Sequence, residues 1–275
     1  MLRFGYNTNG FAHHRLADAI DILADLGYAS IALTLDVHHL DPFADDFRQQ
    51  AERVRQHLER RGLGCVVETG ARFLLDPRRK HQPTLLDPNE EAREVRLNFL
   101  RRSINIAAVL HADAVSFWSG TPIADESADA LMTRLAEGCK RLAEEASSKG
   151  VRLAFEPEPG MFIDTMPRYR ELAARVDHPA FGLTLDVGHL HCQGETPIAH
   201  HLVASRDRLW NVHIEDMRRG VHDHLMFGEG EMDFPPILQA LRDIGYAGGV
   251  HVELSRHSHD AVNTARRAIA FLAAH

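Results

Sequence analysis

Cysteine is scarce in this chain of 275 residues: Cys65, Cys139 and Cys192 make three, an odd number at wide spacing. That excludes a disulfide-stapled scaffold and fits a reducing, cytoplasmic compartment. Lysine is as sparse, at Lys80, Lys140 and Lys149. The last two fall in or just after a helical stretch and Lys80 in a loop, so chemistry that needs a buried lysine, Schiff-base formation above all, is not expected. Positive charge is short overall, 31 Lys+Arg against 39 Asp+Glu for a net −8. A protein that neutralises phosphates normally carries a basic excess, so nucleic acid is a disfavoured partner. Nowhere do about 18 apolar residues run uninterrupted, and Met1-Leu2-Arg3-Phe4-Gly5-Tyr6-Asn7 opens no apolar leader. Neither a membrane span nor a secretory signal is expected. Histidine, by contrast, is plentiful at 19 residues. With thiols rare, any bound metal should take nitrogen and oxygen ligands.

Short, nearly continuous apolar runs alternate with longer amphipathic stretches along the whole chain. The runs are Arg3–Tyr6, Ser30–Leu35, Gly64–Glu68, Ala114–Trp118, Arg152–Glu156, Phe181–Asp186, Leu209–Ile214 and Gly249–Leu254. Such continuity is what parallel strands covered on both faces require. The helical patterns are Leu16–Leu26, Asp45–Arg61, Glu90–Leu110, Ser127–Lys149, Pro167–Arg175, Ile198–Ala204, Pro235–Ile244 and His259–Ala273. In the third, Leu97, Leu100, Ile104 and Ala107 recur at three- and four-residue spacing and predict one buried stripe. Gly27, Gly62, Gly150 and Gly245 follow helical patterns and read as left-handed C-caps. Eight βα rounds predict an α/β fold, a closed (β/α)8 barrel with residues 1–275 as one domain. The rival, an open doubly wound sheet, calls for a glycine fingerprint that Asn7-Thr8-Asn9-Gly10-Phe11 lacks.

Such a barrel carries its active site at the C-terminal ends of its strands. Glu156, Asp186, His213 and Glu253 fall there, on four successive apolar runs. Each alone could be a strand-end side chain bonded to a backbone amide. Together, three carboxylates converging on one mouth repel one another unless a cation compensates them. One divalent metal ion is the simplest compensation. Oxygen-rich ligation with one imidazole favours Mn2+, Mg2+ or Co2+, with Zn2+ also admissible. Phe117 and Trp118 could supply an apolar wall, and the stretch from Met217 to Phe234 is long enough for a βα connection to close over the site.

The segments Phe155-Glu156-Pro157, Asp186-Val187-Gly188-His189, Val212-His213-Ile214-Glu215-Asp216, the loop from His222 to Gly230, and Val252-Glu253 carry a family resemblance. Over nearly its whole length the chain resembles the xylose isomerase-like TIM-barrel superfamily, which holds sugar phosphate isomerases and epimerases, hydroxypyruvate isomerase, ketose 3-epimerases, inosose dehydratase and apurinic endonuclease four. The resemblance implies a metal-dependent isomerase or epimerase of a small carbohydrate, with Glu156, Asp186, His213 and Glu253 as metal ligands. Glu156 and Glu253 are then the catalytic pair, moving a proton through a metal-stabilised cis-enediolate. His189 and Arg219, for which neighbouring Arg218 is the alternative, then resemble the epimerases' substrate contacts, and Glu158 and Trp118 are further candidates beside them. Inosose dehydration begins with the same proton abstraction, and a homo-oligomer is expected because relatives often assemble. A phosphodiesterase of the apurinic endonuclease four type is the alternative, and a non-catalytic sugar-binding barrel a third reading. The endonuclease needs histidines at the ends of strands three and four, where this chain has Glu68 and Trp118. His222 and His224, which would stand near its third metal, are expected to be solvated loop residues, as are His257 and His259.

Overall fold

All eight apolar runs form strands in the computed structural model, which describes residues 1–70 and 72–275. They are β1 Arg3–Asn7, β2 Ser30–Thr34, β3 Gly64–Glu68, β4 Val115–Phe117, β5 Leu153–Phe155, β6 Phe181–Asp186, β7 Leu209–Ile214 and β10 Gly249–Val252, with a hairpin of β8 Asp216–Arg218 and β9 Val221–Leu225 between the last two. The eight close into a parallel barrel in the order β1-β10-β7-β6-β5-β4-β3-β2. Closure leaves no strand edge unpaired. β5 and β10 end sooner than the apolar runs suggest, so Glu156 and Glu253 stand one residue past regular strand. Their backbone stays ordered: Glu156 N–H donates to Phe117 O at 2.8 Å and Glu253 N–H to Ile214 O at 3.3 Å.

The connecting helices are α1 Leu16–Asp25, α2 Phe47–Arg61, α3 Glu90–Leu110, α4 Ala128–Ser148, α5 Met166–Val176, α6 Val187–Gln193, α7 Ile198–Ser205, α8 Phe234–Asp243 and α9 Ala261–Ala273. Among the described residues none is long and apolar enough to cross a membrane. The predicted stripe of α3 is buried at Leu97, Leu100, Ile104 and Ala107. Gly62 caps α2 at φ 68°, a left-handed conformation that a side chain would resist.

Two elements had no counterpart among the sequence patterns. Helix α6 follows β6 without a loop because Asp186 Oδ1 accepts the His189 N–H at 2.8 Å, satisfying one of the free donors at the helix start. In the hairpin, Asp216 ties β8 to the stretch that follows β9: its carboxylate accepts N–H groups from Met217, Gly228, Gly230 and Met232 at 2.8–3.1 Å. Gly230 is required there, since a Cβ would lie 2.2 Å from Asp216 Oδ1.

Outward-facing strand residues pack under the helices, as where Phe117, Phe155 and Phe181 meet at ring separations of 5.2–6.3 Å beneath Tyr169 of α5. Inside the barrel the packing is polar. Ser30 donates to His251 Nε2 at 2.9 Å, His251 Nδ1 donates to Asn211 Oδ1 at 2.8 Å, and Asn211 Nδ2 donates to Glu68 Oε1 at 3.0 Å. Thr184 donates to Ser116 Oγ at 2.9 Å beside them. The His251 ring fits because its neighbours on β1 and β10 are glycines. A Cβ on Gly5 would sit 2.2 Å from the ring and 2.9 Å from the Ser30 carbonyl oxygen.

Gly5→Ala should therefore destabilise the barrel by about 1–3 kcal/mol through overpacking, read as a lower urea midpoint. Gly70→Ala, where nothing lies within 4 Å of the new Cβ, should leave the unfolding free energy from the same titration within about 0.5 kcal/mol of the starting protein.

Candidate active site

The side chains from four consecutive βα junctions meet at the barrel mouth. Glu156 after β5, Asp186 at the end of β6, His213 on β7 and Glu253 after β10 each offer a ligand atom within 4.8 Å of the others. His213 Nδ1 lies 3.0 Å from Glu156 Oε1, 2.9 Å from Glu253 Oε2 and 4.0 Å from Asp186 Oδ2. Its Nε2 lies 2.9 Å from Glu68 Oε1. Glu156, Asp186 and His213 are at most 5% exposed.

Electrostatics follow from that crowding. Burial alone would push the His213 imidazole down, but the carboxylates of Glu156, Glu68 and Glu253 overcome it and hold it well above its ordinary value. Burial lifts Glu156 to about 8 against the pull of His213, and burial together with Glu156 and Glu253 raises Glu158 well above its ordinary value. Burial would raise Glu253 too, yet His213 and the imidazoles of His224 and His189 hold its carboxyl far below the usual range. The carboxylates around the His213 ring outnumber it. Asp186 Oδ2 is buried without a hydrogen-bond partner, a costly state for a carboxylate oxygen. Two or more carboxylates, one imidazole and an orphaned oxygen are a donor set that fits a divalent cation.

Glu68 and Asn211 complete the histidine's surroundings. A ring nitrogen turned to a carboxylate leaves the other nitrogen aimed at the ligand position, the arrangement in which a carboxylate orients a metal-binding histidine. The sequence showed Glu68 at a strand end, by the same rule that selected Glu156, but only as the absence of a histidine. Asn211 and His251 carried no signal, because both lie inside the barrel where apolar side chains are the rule. Asn9 was missed as well. Its Nδ2 donates to Glu253 Oε1 at 2.8 Å, and it borders a cleft of about 450 Å³ lined also by Thr34, Asp36, His38, His39 and Arg72.

The expected substrate contacts divide. His189 is buried beside the cluster, with Nδ1 donating to Pro157 O at 3.2 Å and Nε2 3.5 Å from Asp186 Oδ2. Glu158 is half-buried just beyond Glu156. Trp118 stacks on His81 at 5.0 Å with the Arg96 guanidinium 5.0 Å from its ring. Arg219 is exposed at the hairpin turn with its guanidinium against Gly194 at the end of α6, and is not gathered with the carboxylates. The expectation that His222 and His224 are solvated is corrected. Pairing of β9 with β8 turns both rings onto His189, at 4.7 and 5.7 Å between centroids. Lys80, Lys140 and Lys149 are all exposed, consistent with a site that uses no lysine.

If Glu68 orients His213, Glu68→Gln should lower the affinity for Mn2+ by about 10–100-fold. Isothermal titration calorimetry measures it, with the thermal midpoint followed in parallel to show that the barrel is intact.

Residues 20–275 match a family model described as a xylose isomerase-like TIM barrel. The L-ribulose-5-phosphate 3-epimerase UlaE of Shigella flexneri is 25% identical over 227 residues, covering 82% of this chain and 80% of that protein. The solved D-allulose 3-epimerase from Methylomonas sp. in complex with D-allulose has a TM-score of 0.79 at 20% identity, over 99% of this chain and 96% of that one. The crystal structure of an IOLI protein with a binding zinc atom has a TM-score of 0.76 at 16% identity, over 98% of both chains. At these identities the solved structures speak for the fold.

Proposed function

The chain belongs to the xylose isomerase-like TIM-barrel family, and on that premise we propose that it is a divalent-metal-dependent epimerase or isomerase of a small sugar, sugar phosphate or hydroxy-keto acid. The observation that carries this reading is the pair Glu156 and Glu253, whose oxygens lie 3.0 and 2.9 Å from one imidazole nitrogen while their strands sit across two others, β6 and β7, in the barrel. They approach the space between them from different sides.

A divalent ion held by Glu156, Asp186, His213 and Glu253 would polarise a substrate carbonyl and ease loss of the neighbouring C–H proton. Mn2+, Mg2+ or Co2+ suits two or more carboxylates and one imidazole, and Zn2+ is admissible. One of the two glutamates takes the proton, leaving a planar enediolate, and the other returns a proton from the opposite face. Return to the same carbon inverts it; return to the adjacent carbon interconverts ketose and aldose. Asn9, by donating to Glu253 Oε1, fixes which oxygen of that carboxylate faces the substrate. His189 and Glu158 lie where substrate hydroxyls would be met, with Trp118 on the wall, and the cleft bordered by Asn9 receives the rest of the carbon chain. The 3-epimerase relatives act on ketoses or their phosphates by their names, which supports this substrate class.

Deuterium exchange tests the reading. Mn2+-loaded protein is incubated in deuterium oxide with a panel of ketoses, aldoses and hydroxypyruvate, and loss of the proton next to the carbonyl is followed by NMR. Exchange into at least one substrate is expected, slowed about 10²–10⁴-fold in Glu253→Gln. Absence of exchange throughout the panel, with cleavage of abasic DNA instead, would overturn it.

A further inference from the structure

In a chain whose net charge is −8, the connection from β3 to α3 runs the other way: it carries Arg72, Arg78, Arg79 and Lys80 against Asp76 and Asp87. Both acids are engaged within that stretch. Asp76 accepts from Arg79 Nε at 2.6 Å and from the Arg78 N–H at 2.8 Å, and Asp87 accepts from the Asn89 N–H at 2.9 Å. Among the described residues the ion pair of this connection is Arg79 with Asp76, which leaves the exposed Arg72 and Lys80 without one.

This positive charge stands beside the site. Arg72 lines the same cleft as Asn9, whose Nδ2 donates to Glu253 Oε1. The Arg72 carbonyl accepts the His81 N–H at 2.7 Å, and the His81 ring stacks on Trp118, just past β4. Arg96 of α3 is a further cation without a carboxylate among the described residues: it is buried against the Trp118 ring and donates to Pro83 O and His81 O, each at 2.7 Å. His81 Nε2 is buried with no hydrogen-bond partner, and burial together with the charges of Lys80, Arg96 and Arg72 holds that ring down to about 4. Cations gathered in this way raise one another's energy until an anion joins them, and in a cleft their field concentrates on whatever enters. The one carboxylate lining the cleft among the described residues, Asp36, is turned to the Val37 N–H at 2.7 Å.

We propose that Arg72 and Lys80, backed by Arg96, form a phosphate subsite in the cleft that Asn9 borders, so that the substrate is a phosphorylated ketose or hydroxy-keto compound rather than a neutral sugar. An arginine fork matches two oxygens of one phosphate and a lysine ammonium adds a mobile point charge. Two such cations with a third behind them suit a dianion better than a carboxylate. The phosphate stays intact and serves as a handle, while the proton moves at the carbon next to the carbonyl. The inference rests on the proposed function for where that carbonyl lies, and it narrows the substrate class.

Isothermal titration calorimetry on chelator-dialysed protein tests it, because without divalent ions a phosphate has only the protein's own cations to bind. The probes are L-ribulose 5-phosphate, after the substrate in the name of the Shigella relative, with L-ribulose, inorganic phosphate and acetate. The phosphorylated sugar should bind about 10–100-fold more tightly than the free sugar. Inorganic phosphate should displace it and acetate at the same concentration should not. The preference should be lost in the double variant Arg72→Ala, Lys80→Ala, be partly kept in Arg72→Lys, and be unchanged in Arg206→Ala, an exposed arginine just before β7; circular dichroism verifies each fold. Equal binding of the two sugars, no detectable binding of the phosphorylated one, displacement by acetate as readily as by phosphate, or full preference in the double variant would each overturn the subsite. Deuterium exchange separates this from the proposed function. Exchange into ketoses by a protein that binds both sugars alike refutes the subsite and leaves the reaction; a phosphate preference without exchange into any compound supports the subsite and refutes the reaction.

Discussion

His213 is the point on which the mouth of the barrel turns. Its ring is almost wholly buried and has carboxylate oxygens at 2.9–3.0 Å on both nitrogens, from Glu68, Glu156 and Glu253. Bringing that many negative groups out of water is unfavourable unless positive charge stands among them. The imidazole meets part of this demand, which is why its pKa is held up although burial opposes it. A divalent ion at Nδ1 would displace that proton and supply the positive charge in its place. The strands hold these residues at fixed register, with Asp186 paired to His213 and Val252 to Ile214, so the carboxylates cannot drift apart to relieve their repulsion.

The same constraint reaches down the barrel axis. Glu68, which holds His213 from behind, is itself held by Asn211, Asn211 by His251, and His251 by Ser30. Each member satisfies the next, as a buried polar network must if it is not to cost more than an apolar core. Glycines at positions 5 and 249 are the steric counterpart, clearing space for the His251 ring. The interior of this barrel is therefore a support for the site as much as a core, and the apolar work is done between strands and helices, where Phe117, Phe155, Phe181 and Tyr169 pack.

Asp186 joins the two halves of the site. One carboxylate oxygen starts α6 by capping His189, and the other is free toward His213 and Glu215. A residue that reads in sequence as a strand-end ligand is thus also the reason that His189 is placed where it is. Asp216 plays the corresponding part where the chain leaves the hairpin, and the pairing of β9 with β8 sets His222 and His224 against His189. Treating the stretch after β7 as an open loop missed this, since one carboxylate accepting several backbone N–H groups leaves no periodic trace.

The sequence by itself determined the alternation of strands and helices, and with it the (β/α)8 barrel, because apolar periodicity is a local property that each segment carries alone. It also determined which residues end the strands, and so brought forward Glu156, Asp186, His213 and Glu253, the four that the barrel gathers. Only the tertiary structure decided what each of these faces. Glu68 against the far nitrogen of His213, Asn9 against Glu253, and Glu215 beside His224 are contacts between residues 9 to 244 positions apart in the chain. Closing the barrel creates the first two and the pairing of β9 with β8 the third, and no spacing along the sequence encodes a neighbour brought in by strand pairing.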